Sequence, residues 1–123
     1  DDMQQALKNI ISSDFGRVFV YEIKGQIYGG LIAVLLSPWF SRSITVAAEL
    51  AWWVDPAMRG SPAAVRLMAA FEAWAADNHA NYVVVSDMIS RKGEWAAAQL
   101  VDRLGYKVSE RTHVKELTHA RVH

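Results

Sequence analysis

One stretch constrains this chain more than any other. Residues 44–54 (ITVAAELAWWV) are apolar almost throughout, and Asp55-Pro56 then stops the run. From Pro62 to about Asp77 the pattern changes to an alanine-rich helix that places Leu67, Phe71 and Trp74 on one face. A short apolar run over 81–88 (NYVVVSDM) follows. A nearly all-apolar strand reads as interior to a sheet, and two strands joined through a helix pair in parallel by a right-handed crossover.

The remaining segments build outward from that unit. Residues 1–12 read as a short helix, with an acidic start and a stripe of Leu7, Ile10 and Ile11. Residues 17–23 and 26–36 read as two strands of an antiparallel hairpin closed at Lys24-Gly25. Gly29-Gly30 within the second strand predicts a bulge or a close backbone approach. After strand 81–88, residues 93–104 form a second helix stopped by Gly105, and the alternation over 106–117 predicts a final strand. The expected fold is α+β: a central mixed, mostly antiparallel sheet with a parallel pair, flanked by helices, in a single domain over residues 1–123.

The turn between strand 44–54 and the following helix carries the chemistry. Ser61 is suited to cap the helix and Pro62 to its first turn. Unpaired N–H groups at a helix start, reinforced by the helix dipole, hold phosphate without a cluster of basic side chains. Arg59 adds a cation, Gly60 permits close approach of backbone to ligand, and Ala63 and Ala64 leave that surface uncluttered.

The stretch from Glu49 to Leu67, with Val54-Asp55-Pro56, Arg59 and Ala64 in their relative positions, resembles the central motif of the GNAT superfamily of N-acetyltransferases. Leu104-Gly105-Tyr106 resembles the segment that follows the family's last helix. The element order agrees over nearly the whole chain. The resemblance implies acetyl-CoA as co-substrate, lying where strands 44–54 and 81–88 splay apart. Its pantetheine arm would pair with the backbone of Trp52, Trp53 and Val54, and its pyrophosphate would sit on the amides of 59–64, including Arg59, Gly60, Ser61, Ala63 and Ala64. The partner implied is an amine-bearing acceptor, a small molecule or a protein. Pro62 stands where a glycine is usual and removes one amide donor. Val101 stands where many members carry a tyrosine that reprotonates the departing thiolate. The chain ends soon after 106–117, so a last family strand is short, absent or supplied by a second copy in a homodimer.

An acceptor amine with a pKa near ~10.4 must lose a proton before it attacks. Glu49, a lone carboxylate in an apolar strand, is the candidate general base. The alternative for Glu49 is a place facing solvent or a neighbouring cation. Candidate general acids are Tyr106 and, behind it, Ser90, Tyr28 and His113. Trp39-Phe40 and the Trp52-Trp53 pair suggest an aromatic acceptor pocket, but neighbours on a strand face opposite ways, so one of Trp52 and Trp53 belongs to the core. Arg66, Arg91 and Lys92 are either phosphate contacts or solvated charge.

Composition narrows the classes. The formal net charge is zero, against a nucleic-acid surface driven by bulk charge. There is no cysteine, which excludes disulfides and thiolate chemistry. His119 and His123 are four apart in a tail without a carboxylate partner, and no metal site is expected. No apolar run is long enough to span a bilayer, and the expectation is a soluble, cytoplasmic protein with no membrane partner. Two other readings remain open: a non-catalytic acyl-CoA-binding or regulatory domain, and a plain interaction domain using the Trp39-Phe40 loop.

Overall fold

In a computed structural model, which describes residues 1–86, 96–110 and 112–117, four strands lie in the order β1-β2-β3-β4. Helix α1 (Asp2–Ser12) leads to β1 (Gly16–Ile23), β2 (Gln26–Leu36) and β3 (Val46–Val54); a short 3-10 turn (Pro56–Met58), α2 (Ala63–Asp77), β4 (Tyr82–Val84) and α3 (Ala96–Arg103) follow. β1 pairs with β2 and β2 with β3 antiparallel, whereas β3 and β4 are parallel. The sheet is therefore mixed and mostly antiparallel, as the pattern of strands and helices predicts, and β3 lies inside it.

Local chemistry fixes the elements. Asp1 caps α1 by accepting from the Met3 amide at 2.8 Å. The β1–β2 hairpin turns through Lys24 (φ 50°) and Gly25 (φ 82°), both left-handed, the geometry that matches the twist of a two-residue hairpin. Helix α2 ends with His79 at φ 58° and the Ala80 amide bonded to the Ala75 carbonyl at 3.0 Å, a Schellman-type stop that turns the chain into β4.

The core forms between one face of the sheet and α2. Leu31, Ala33 and Ala47 from the strands meet Leu67, Met68, Phe71, Trp74 and Ala75 of the helix. Phe71, Leu31 and Met68 are fully buried, each worth roughly 1.5–3 kcal/mol in apolar transfer. Phe19 meets Trp74 edge to face at a centroid distance of 6.0 Å. The Gly29-Gly30 pair meets both expectations placed on it. The β1–β2 register shifts beside Gly29, leaving Tyr28 as the extra residue of a bulge. A Cβ at Gly29 would lie 3.2 Å from Leu67 on the α2 side, and one at Gly30 would run into the Trp53 ring on the other side.

Four boundaries differ from the sequence expectation. β3 begins at Val46 rather than 44, because Thr45 is tied instead to Asn81, giving its amide to the Asn81 side chain and its carbonyl to the Asn81 amide. α2 begins at Ala63 with Pro62 in the cap position, so Ser61 lies just outside the helix. β4 is confined to Tyr82–Val84 among the described residues; 87 and 88 lie outside them. The expected strand over 106–117 is absent from its described residues, where Val108 is 86% and Val114 91% exposed. Alternating apolar residues give a strand two faces but not a ladder partner, and without one the backbone does not enter the sheet.

Candidate functional site

Strand β3 changes character midway. From Val46 to Ala48 it is paired on both sides, to β2 and to Tyr82–Val84 of β4. From Glu49 to Val54 its ladder among the described residues is to β2 alone. The change falls at a β-bulge. Ala33 opposes Glu49 and Ile32 opposes Ala51, so Leu50 is an extra residue without a partner on β2. A bulge bends its strand and sharpens the local twist, and the described ladder to β4 ends just before it, at Ala48. Among the described residues, the β3 edge away from β2 has no ladder partner over Glu49–Val54.

Glu49 stands at the vertex of that gap. Its side chain is half-buried, and its Oε1 accepts the backbone N–H of Ser86 at 2.9 Å. Burial raises the carboxyl pKa above its ordinary value, and the Ser86 hydrogen bond offsets part of the rise by favouring the ionised form. Glu49 therefore neither faces open solvent nor pairs with a described cation.

Trp52 and Trp53 point to opposite faces, as alternation requires. Trp52 and Val54 pack against the core beneath α2, while Trp53 is half-exposed over Gly30. The Trp52 indole N–H is buried with no hydrogen-bond partner among the described residues. Trp39 and Phe40 stack on each other edge to face at 5.7 Å, and Trp39 is 97% exposed. With Trp52 under α2, these four aromatics do not form one pocket.

Beyond Val54 the chain folds back on itself. The Asp55 amide bonds to the Tyr28 carbonyl at 2.7 Å, and the Asp55 carboxylate caps the 3-10 turn through the Ala57 amide at 2.9 Å. Gly60 adopts φ +88° with open space around its Cβ position, a conformation that glycine permits at no steric cost. Each amide of the turn can then be placed. The Arg59 and Ser61 N–H groups are bonded to the carbonyls of Pro56 and Met58. The Ala63 N–H donates to the Ser61 hydroxyl at 3.3 Å, a long contact. Gly60, Ala64 and Val65 make no such bond, and the Arg66 amide is the first to close on the helix, at the Pro62 carbonyl. Among the described residues, the amides at this helix start without a hydrogen-bond partner are thus Gly60, Ala64 and Val65. Val65 is missing from the sequence expectation, and the signal that finds it is Pro62, which shifts the helix start one residue along. The Arg59 side chain is exposed.

Tyr106 is placed differently from the role expected for it. It follows Gly105 (φ +91°), its amide closes α3 on the Val101 carbonyl at 3.2 Å, and its ring packs against the core. Its hydroxyl is buried without a partner in hydrogen-bonding geometry among the described residues, close to the Glu72 carboxylate. Burial first, and the Glu72 charge second, push the phenol well above its ordinary range. A phenol so raised is a weaker acid than an ordinary tyrosine. Among the other acid candidates, Tyr28 is half-buried at the β2 bulge and His113 is exposed outside any strand, while Ser90 lies outside the described residues, with Arg91, Lys92, His119 and His123. A cavity of about 490 Å³ between the α1–β1 junction and Trp74 and Asn78 is at the opposite end of α2, roughly 20 Å from the turn at Gly60 by helix rise, and belongs to a different part of the molecule.

The family model described as acetyltransferase (GNAT) family matches residues 1–106. No curated protein sequence matches the chain at a significant level. Among solved structures, the aminoglycoside acetyltransferase AAC(6')-Iy in complex with a CoA-containing bisubstrate analogue superposes with a TM-score of 0.77 at 19% identity, over 96% of this chain and 80% of that one. A 6'-N-acetyltransferase, AAC(6')-IG from Acinetobacter haemolyticus, gives 0.73 at 15% identity, over 95% and 80%. A protein described as a transcriptional regulator from Bacillus halodurans C-125 gives 0.80 at 17% identity, over 94% and 75%. At these identities the likeness is one of fold.

Proposed function

Since the chain belongs to the acetyltransferase (GNAT) family, we propose that it moves an acetyl group from acetyl-CoA to an amine by direct attack within a ternary complex. The observation that carries this reading is the break in the β3–β4 ladder after Ala48, with the Glu49 carboxylate reaching across it. The residues present suit the co-substrate. The open edge of β3 over Trp52, Trp53 and Val54 offers amide and carbonyl groups to the pantetheine arm. The free amides of Gly60, Ala64 and Val65 offer donors to the pyrophosphate, with the exposed Arg59 beside them. Ser61 and Ala63 contribute by shaping the turn. The orphaned Trp52 N–H is a further donor on the strand that borders the gap.

In the proposed reaction Glu49 takes a proton from the acceptor ammonium, and the neutral amine attacks the thioester carbonyl. The oxyanion is stabilised by a backbone N–H near Trp53 or Val54. The tetrahedral intermediate collapses, the C–S bond breaks, and the proton still carried by the attacking nitrogen passes through water to the departing thiolate. The acceptor class favoured is a small amine-bearing molecule of the aminoglycoside kind, on the strength of the two acetyltransferases of like fold, and the proposed place of action is the cytoplasm.

A non-catalytic acyl-CoA-binding domain is the second reading, favoured by Val101 in place of a tyrosine acid and by the raised Tyr106 phenol. Thermal unfolding with and without acetyl-CoA, followed by thiol release over a panel of amines, separates the two. A stabilising shift with thiol release is expected. A shift without release on any amine selects the second reading, and no shift at high acetyl-CoA sinks both.

A further inference from the structure

The contact between Glu49 and Ser86 joins two things the fold would otherwise leave unfinished. Val84 is the last residue of β4 paired with β3, opposite Ala48. Continued in register, Ser86 would come level with Leu50, the residue that bulges out of the β2 ladder. In the parallel pattern set by the Tyr82 N–H on the Thr45 carbonyl, the Ser86 N–H would be directed at the Glu49 carbonyl beside that bulge; it is bonded to the Glu49 carboxylate instead, at 2.9 Å. The geometry serves Glu49 as well. A glutamate side chain has three rotatable bonds, and one fixed oxygen removes most of that freedom. Oε1 is held by Ser86, and Oε2 has no partner among the described residues, so it remains available for a proton.

Resting on the functional reading above, we infer that the backbone N–H of Ser86 is the positioning group for Glu49: it anchors Oε1 at the vertex of the splay and so presents Oε2 to the acceptor amine. Ser86 acts through Glu49 and through its main chain, which is why its side chain carries no signal in the sequence. A mere stitch in the sheet would make the opposite demand. Loss of a stitch loosens the gap and weakens acetyl-CoA binding, whereas loss of a positioning group lowers turnover and leaves acetyl-CoA binding intact.

The test removes the donor. Ser86→Pro deletes the N–H, and Ser86→Ala, which keeps it, is the reference. With the amine that gives most thiol release, the proline variant is expected to fall at least tenfold below the alanine variant in kcat, with KM for acetyl-CoA within twofold. A kcat within twofold of the reference overturns the inference, as does a rise in KM for acetyl-CoA that matches the fall in kcat. If the proline variant does not fold, or if the unmutated protein releases no thiol, hydrogen exchange at the Ser86 amide decides. Exchange should quicken at least tenfold in Glu49→Ala and stay slow in Glu49→Gln, whose carbonyl oxygen still accepts. Unchanged exchange in Glu49→Ala overturns the inference. The absence of both acetyl-CoA stabilisation and thiol release counts against the functional reading and leaves the exchange result standing.

Discussion

The two halves of β3 share a strand but not a task. Val46–Ala48 is held by ladders on both edges, and Ala47 is fully buried against the core. Glu49–Val54 is held on one edge among the described residues, carries a half-buried carboxylate and ends in the turn before α2. The first half uses its backbone hydrogen bonds in the sheet; the second has no ladder partner on its other edge among the described residues. A ligand that pairs with main chain needs such an edge, and it begins beside one extra residue, Leu50. Substitutions in the two halves should accordingly fail in different assays.

The largest effect is expected at the vertex. Glu49→Gln keeps the Ser86 hydrogen bond but cannot take a proton, so kcat should fall by about 10²–10⁴-fold while the acetyl-CoA thermal shift persists. A turnover within threefold of the unmutated protein would dissolve the distinction between the halves. In the paired half, Ala47→Leu should cost roughly 1–3 kcal/mol of stability through overpacking, measured by denaturant unfolding, with acetyl-CoA still bound by the folded fraction. An effect confined to turnover would place Ala47 in the working half instead. At the far end of the open half, Gly60→Ala forces an L-residue to φ +88° and should cost about 1 kcal/mol, with weaker acetyl-CoA stabilisation because the turn must relax.

The smallest effect is in the pH dependence of Glu49. Its folded pKa lies above the unfolded value, so the native state holds the proton longer. Stability is therefore undiminished below the unfolded value of 4.5, falls as pH rises towards the raised folded value, and stays reduced above it. Melting curves of the native protein and Glu49→Gln should run closest in acid and separate towards neutrality, with the glutamine variant the more stable. The same raised value sets the acid limb of turnover, which should appear at a higher pH than an ordinary carboxylate would give. Stability of the two proteins diverging in acid instead would mean that Glu49 is stabilised as an anion.

Much of this was legible in the residues. The hairpin followed from Lys24-Gly25 between β-rich runs, α2 from the spacing of Leu67, Phe71 and Trp74, and the opposed faces of Trp52 and Trp53 from alternation alone. The bulge at Leu50 was not legible, because in a run apolar on both faces a one-residue shift leaves no trace in the pattern. The strand expected over 106–117 had the alternation but depended on a ladder partner, which lies outside the information in the segment itself. At the site, Glu49 stood out as a lone carboxylate, whereas Ser86 acts through a main-chain group that every residue except proline possesses. The amides of 59–64 looked equivalent; only the turn's own hydrogen bonds divide those of Arg59 and Ser61, which are consumed, from those of Gly60 and Ala64, which are not.

The unpartnered status of Leu50 has a genetic corollary. Deleting its single codon removes no rung of the β2–β3 ladder, since Glu49 and Ala51 already face consecutive residues of β2. A lineage could lose the cleft in one mutational step and keep a foldable sheet, so the persistence of that codon among descendants of this gene would itself record selection for the opening.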